Sequence, residues 1–117
     1  MKPTDRYFNP ANLRTRITFQ QPTVSTDAGG AQSPAWTDVE SHPTVWAHWV
    51  NAHGQENVQN AVKSVRRATV TIRHRDDVRT TWAVVRGTER WDIISIDAVQ
   101  DQRRWIELVV ERAEGSV

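Results

Sequence analysis

The sequence predicts a mainly β fold: a small antiparallel β-barrel or sandwich of six or seven strands, carrying one loop or helix insertion. Three observations lead there. Apolar and polar residues alternate with period two in several short runs. Turn residues recur at strand-sized intervals. The period becomes helical only once, after Gly54, and then returns to two. The predicted organisation is an N-terminal arm over 1–12, one β domain over 13–112 with an insertion at 53–67, and a short tail over 113–117.

Residues 1 to 12 contain Pro3 and Pro10 and have no period, so they read as an extended arm. "LRTRITFQQ" then alternates, with Leu13, Thr15, Ile17 and Phe19 on one face and Arg14, Arg16, Thr18 and Gln20 on the other, as in a half-buried strand. "PTVSTDAGGAQSP" reads as loop, turning at Gly29-Gly30. "AWTDVES" returns as a short second strand, ended by Pro43. In "VWAHWVN" both faces carry bulk: Val45, Ala47 and Trp49 on one, Trp46, His48 and Val50 on the other. A strand covered on both sides is expected. Past Gly54, Val58, Ala61, Val62 and Val65 fall at helical spacing. Their stripe is narrow and its side chains are small, so it would pack weakly alone.

"ATVTIRHR" restores the strand period, with Val70, Ile72 and His74 opposite Thr69, Thr71, Arg73 and Arg75. Asp76-Asp77 is a turn. "WAVVRGTERWDI" carries the best local signal, because Gly87-Thr88 suits a two-residue type II′ hairpin, which needs glycine first. That register pairs Arg86 with Glu89, Val84 with Trp91 and Trp82 with Ile93. It leaves Ile94 and Ile96 on the wrong face, which a bulge near Ile93 would repair. "DAVQDQR" turns again. "RWIELVVER" is the last strand, with Ile106, Leu108 and Val110 inward.

Composition limits function. At 117 residues with a net charge of +1, the chain has one modest core and no global basic field to attract nucleic acid. Having no cysteine removes disulfides, thiol catalysis and thiolate zinc sites. No apolar run is long enough for a membrane span, and "MKPTDRYFNPANL" lacks a signal peptide's apolar core. A soluble intracellular protein or a particle component is expected. Six of nine aromatics are Trp, and only Lys2 and Lys63 among fifteen basic residues are lysine. Trp and Arg are enriched at protein interfaces, although a GC-rich genome also favours Arg.

The chemical motifs are weak. His48 and His53 lie five apart across a strand end, a spacing that does not aim two ligands at one zinc ion. Asp76 and Asp77 are ordinary turn composition, and Glu56 beside His53 fits a plain loop as well as a base and its orienter. No serine motif, phosphate loop or cofactor fingerprint is present. Nucleic acid is a better rival. Arg66, Arg67, Arg73, Arg75 and Arg79 cluster in sequence, and Trp82 or Trp91 could stack on bases. Against that, both tryptophans fall on one apolar hairpin face, where core packing is the default.

Taken in order, "NLRTRITFQQPTVSTDAGG", a lone Trp, "VWA", "GQE", "TVTIRHRDDV", "RGTERWDIISI" and "RRWIELVVER" resemble the head-closure, or head–tail joining, proteins of tailed double-stranded-DNA phages. The resemblance spans about residues 12 to 112. Trp91 stands where the family often has Tyr, and the arm is longer than usual. The resemblance implies a β-barrel without catalysis, cofactor, metal or membrane. It implies a homo-oligomeric, dodecameric ring in the virion neck, between the portal/adaptor and a tail-terminator or tail protein. Assembly would take place in the host bacterial cytoplasm, with transient, non-specific contact with packaged double-stranded DNA. In some members the loop after the "VWA" strand closes the DNA channel. Here that loop offers His53, Gly54, Gln55, Glu56 and Asn57, with Arg66 and Arg67 at its exit. Tyr7 and Phe8 on the arm would anchor to a neighbour. A tail-completion or tail-terminator ring, or a small nucleic-acid-binding barrel, are the alternatives.

Overall fold

The computed structural model describes residues 9–26, 28–30, 32–52, 65–98 and 104–113. Among these residues a 3-10 turn, Pro10–Asn12, precedes seven strands: β1 Thr15–Thr26, β2 Gln32–Asp38, β3 Thr44–Asn51, β4 Val65–Arg73, β5 Ala83–Arg86, β6 Glu89–Ala98 and β7 Trp105–Ala113. Asn9 caps the 3-10 turn by accepting a hydrogen bond from the amide of Ala11.

All pairings are antiparallel, in the order β2-β1-β3-β4-β7-β6-β5, and β1 pairs with β5 to close the sheet. The result is a six-stranded closed barrel with β2 outside it. Strand β1 makes this possible because it is shared. Residues 15–18 pair with β3, 18–20 with β5 and 20–26 with β2. Phe19 sits at the branch point. Its amide donates to the carbonyl of Pro43 and its carbonyl accepts from the amide of Val39, so β2 and β3 meet the same edge of β1. Beyond Gln20 only β2 accompanies β1, and the pair leaves the barrel as a two-stranded ribbon.

This ribbon replaces most of the expected loop. Pro22 and Pro34 suggest a break, but both occupy the strands, opposite Trp36 and Val24. Since Phe19 points its polar groups toward β2, alternation turns those of residue 22 to the open edge, where a missing amide is tolerated. Pro34 pairs with Val24, on a rung of the same parity.

The core is formed by inward residues of all six barrel strands, with Phe19, Ile17, Ile72, Leu108, Val70, Val84 and Val110 completely enclosed around Trp91. Strand β3 departs from expectation. Ala47 is buried and Val45 and Trp49 pack on the core, but Trp46 and Val50 are exposed, so β3 is covered on one side. Bulk on the second face marks available surface there, not a second core.

The hairpin register holds for Arg86–Glu89 and Val84–Trp91. Trp82 lies one residue ahead of β5, buried and tilted against Phe19 at 5.6 Å. Gly87 has φ +63°, and among the described residues His42 is the sole non-glycine with positive φ. Thr88 is therefore not left-handed, as type II′ requires and type I′ forbids. The bulge also forms. Ile93 pairs with Val110 and Ser95 with Val109, so Ile94 is the extra residue. The slip turns Ile96 back to the core and leaves Ile94 outside.

The expected insertion at 53–67 loses its last three residues, because β4 already begins at Val65. Val65 thus belongs to a strand and not to a helical stripe. Val58, Ala61 and Val62 lie outside the described residues.

Candidate protein interface

Two arginine–tryptophan clusters organise the barrel, one on each face of its wall. The first closes the end where β3 finishes and β4 starts. Strand parity turns Trp49, Arg66, Arg86, Glu89 and Trp91 inward together. Trp49 meets Trp91 edge-on at 5.0 Å. The Arg86 guanidinium lies 4.2 Å from the Trp49 ring, and that of Arg66 lies 5.1 Å from Trp91. Glu89 bridges the two cations, accepting from Arg66 at 2.9 Å and Arg86 at 3.3 Å. The Arg66 hydrogen bond, aided by attraction to both guanidiniums, holds the Glu89 carboxyl below its ordinary range against a smaller opposing effect of desolvation. This end is plugged by charge and indole together.

The second cluster lies on the outside. Arg16 pairs with Trp46 across β1–β3, and Arg73 pairs with Trp105 across β4–β7. Extending the β3–β4 register two residues past His48–Thr71 brings Trp46 level with Arg73. Four strands therefore present an outward row of Arg16, Trp46, Arg73 and Trp105. Arg16 stacks over Trp46 at 4.6 Å and Arg73 over Trp105 at 5.2 Å. Trp105 is nearly covered, whereas Trp46 is 49% exposed. Beside Trp46 lies an open groove of about 940 Å³, lined in part by Leu13, Arg14, His42, Val45, Arg73 and His74. Among the described residues no carboxylate pairs with Arg14, Arg16 or Arg73. An exposed indole stacked under one arginine, beside a concavity, is a typical protein-docking anchor.

Arg75, at the edge of the same groove, is structural. It donates to both carboxylate oxygens of Asp77 and to the carbonyls of Ser41 and His42. His42 has φ +47°, a conformation that costs energy in a non-glycine residue, and the Arg75 clasp secures that turn. The same hydrogen bonds keep the Asp77 carboxyl below its usual value.

Among the described residues no three His, Cys, Asp or Glu side chains gather as a metal site, and no helix is long and apolar enough to cross a membrane. The model of the phage head completion protein family matches residues 8–113. The chain belongs to that family. Solved structures agree with its fold. A chain in the virion of a native gene transfer agent particle superposes with a TM-score of 0.68 at 11% identity, covering 89% of this chain and 97% of that one. Protein SF1141 from Shigella flexneri 2a superposes with a TM-score of 0.62 at 21% identity, covering 93% and 100%. No curated protein matches significantly.

This head completion protein distributes the expected site residues unevenly. Tyr7, Phe8, His53, Gly54, Gln55, Glu56 and Asn57 lie outside the described residues. Arg66 and Arg67 are neighbours in β4, not a loop exit, and alternation sends them to opposite faces. Arg66 enters the plug. Arg67 pairs with Glu111 at 2.8 Å on the outside. Trp82 and Trp91 are buried, which removes the base-stacking surface considered for them. The sequence reading missed the Arg16–Trp46–Arg73–Trp105 row. Its signal was present in Trp46 and Arg73, but the row exists only once four strands are in register.

Proposed function

We propose that this phage structural protein acts in the virion neck, as a ring joining the portal/adaptor to the tail and helping to close the DNA channel. The observation that carries this reading is the head completion family match over 8–113. The exposed Trp46 in its arginine frame supports it as a surface made for a protein partner. No catalytic step is assigned to the chain. We assign the plugged barrel end, where β3 finishes and β4 starts, to the channel side. Packaged DNA passes there with weak, salt-sensitive and sequence-blind contacts. The ring is dodecameric in this reading, and Tyr7 and Phe8 on the arm meet a neighbouring subunit or the adaptor.

Electron cryomicroscopy of purified particles tests the assignment. The expected result is a cyclic ring of this chain between portal and tail, with the plugged barrel ends turned to the channel. Absence of the chain from the neck overturns the reading. Density beyond the first tail ring would move the protein to tail completion.

A further inference from the structure

The outer wall of β6 and β7 has chemistry opposite to that of the Trp46 groove. In the closed order β1-β3-β4-β7-β6-β5, strand β6 stands across from β3. On the outer face of β6 and β7, Asp92 sits opposite Glu111 and Asp97 opposite Glu107. Like charges on facing rungs destabilise a sheet. Arg67 engages Glu111, but among the described residues no cation pairs with Asp92, Asp97 or Glu107. Between the two acidic rungs the bulge pushes out Ile94, 48% exposed, above half-buried Val109. Because Ile93 and Ile96 both turn to the core, Ile94 and Ser95 point outward side by side.

Strands β1, β3 and β4 therefore present a groove with an exposed indole framed by Arg14, Arg16 and Arg73. Strands β6 and β7 present an aliphatic knob framed by four carboxylates. We infer that these two faces recognise each other between copies of this chain: the β6–β7 knob of one subunit seats in the β1–β3–β4 groove of the next, Ile94 against Trp46, acids against arginines. The occupant is a second copy because both halves of the match are on one molecule and their charges are complementary. Contacts between two different faces are heterologous, and a chain of them ends without unmatched surface only when it closes into a ring. The pairing also brings cations to Asp92, Asp97 and Glu107, which have none among the described residues. This deepens the neck-ring reading, on which it rests, by naming the seam.

The absence of cysteine allows a direct test. Thr44→Cys places a thiol beside Trp46, and Ser95→Cys places one beside Ile94, leaving both anchors intact. The full-length double variant is treated with a short bismaleimide, concentrated in solution and in assembled necks. The expected result is a ladder of covalent multimers from the double variant, and dimers alone when the two single variants are mixed. Each single variant by itself should stay monomeric. Adding Ile94→Asp or Trp46→Ala should cut the ladder at least about tenfold, as loss of an interface anchor does, with melting unchanged. Raised salt should also weaken it.

A neck ring without cross-links between positions 44 and 95 overturns the seam and leaves the ring. A solution ladder from a protein absent from necks supports the seam and overturns the neck reading. Dimers from either single variant alone mean that like faces meet, which overturns the proposal. So does a groove that binds a thymidine oligonucleotide, loses it in Arg16→Glu, and yields no ladder.

Discussion

The plug and the outer row use the same two residue types to opposite ends. In the plug, Trp91 is 1% exposed and two arginines share the carboxylate of Glu89. In the row, Trp46 is half exposed and its arginines have no carboxylate among the described residues. Strand parity decides between them. Trp46 and Trp49 are three residues apart on β3, so they face opposite sides of one wall. Arginine over indole is worth about 0.5–1 kcal/mol when exposed and more when dry, so the stacking alone does not distinguish a structural cluster from a docking one. The carboxylate does. Where the positive charge is balanced by a carboxylate among the described residues the cluster is complete; where it is not, it suits a partner that brings one.

That contrast breaks first at Trp91. Trp91→Ala should cost about 3–5 kcal/mol by chemical denaturation, as large buried aromatics do. A loss below about 1 kcal/mol would mean that the plug is not part of the core. Next comes Arg75, which resembles the row in position and the plug in its pairing. Arg75→Ala leaves Asp77 and two carbonyls without their donor and should cost about 1.5–3 kcal/mol, with the loss read in the same experiment.

A smaller effect comes with acid. The Asp77 carboxyl is depressed in the folded protein, chiefly by the hydrogen bond from Arg75. A depressed acid stabilises the fold above its unfolded value, ordinarily about 4, and loses that contribution as pH falls through the folded one. Asp77→Asn should therefore be less stable than the parent at neutral pH, and the gap should close below about pH 4. A gap constant with pH would assign its cost to packing. The smallest effect is expected at Trp46. Trp46→Ala should leave monomer stability within about 0.5 kcal/mol while lowering assembly. A large loss of stability would make the row a second structural cluster and erase the contrast.

How much of this was legible in the sequence follows from range. The β5–β6 hairpin and its bulge were readable because Gly87 and the misplaced Ile94 and Ile96 are local demands on the chain. The inward faces of β1, β4 and β7 were readable from simple alternation. The ribbon was not, since Pro22 and Pro34 argue against strand unless the open edge that receives them is known. Bulk at Trp46 and Val50 looked like burial because side-chain size alone does not say which side of a wall is wet. Arg66 and Arg67 read as an equivalent basic pair in sequence, whereas β4 starts at Val65 and separates them. The outer row depends on the registers of β1, β3, β4 and β7 jointly, and no local pattern encodes that.

The branching of β1 has a mechanical meaning. Residues 21 to 26 extend the ribbon over about 20 Å past the branch point, at about 3.4 Å per residue. The strand that forms this arm continues without a break into the wall, bonded to β3 on one edge and β5 on the other. It is therefore a lever and not a tether. A pull along its length loads the β1–β3 and β1–β5 hydrogen bonds in shear, where they share the force. A sideways push turns instead about Phe19, whose backbone is pinned on both sides of the β2–β3 jog and whose ring packs with Trp82 and Arg75 in a three-way contact. Whatever grips the ribbon tip takes hold of the same strand that positions Arg16 over Trp46, so strain at one end of the subunit reaches its side wall without passing through a flexible joint.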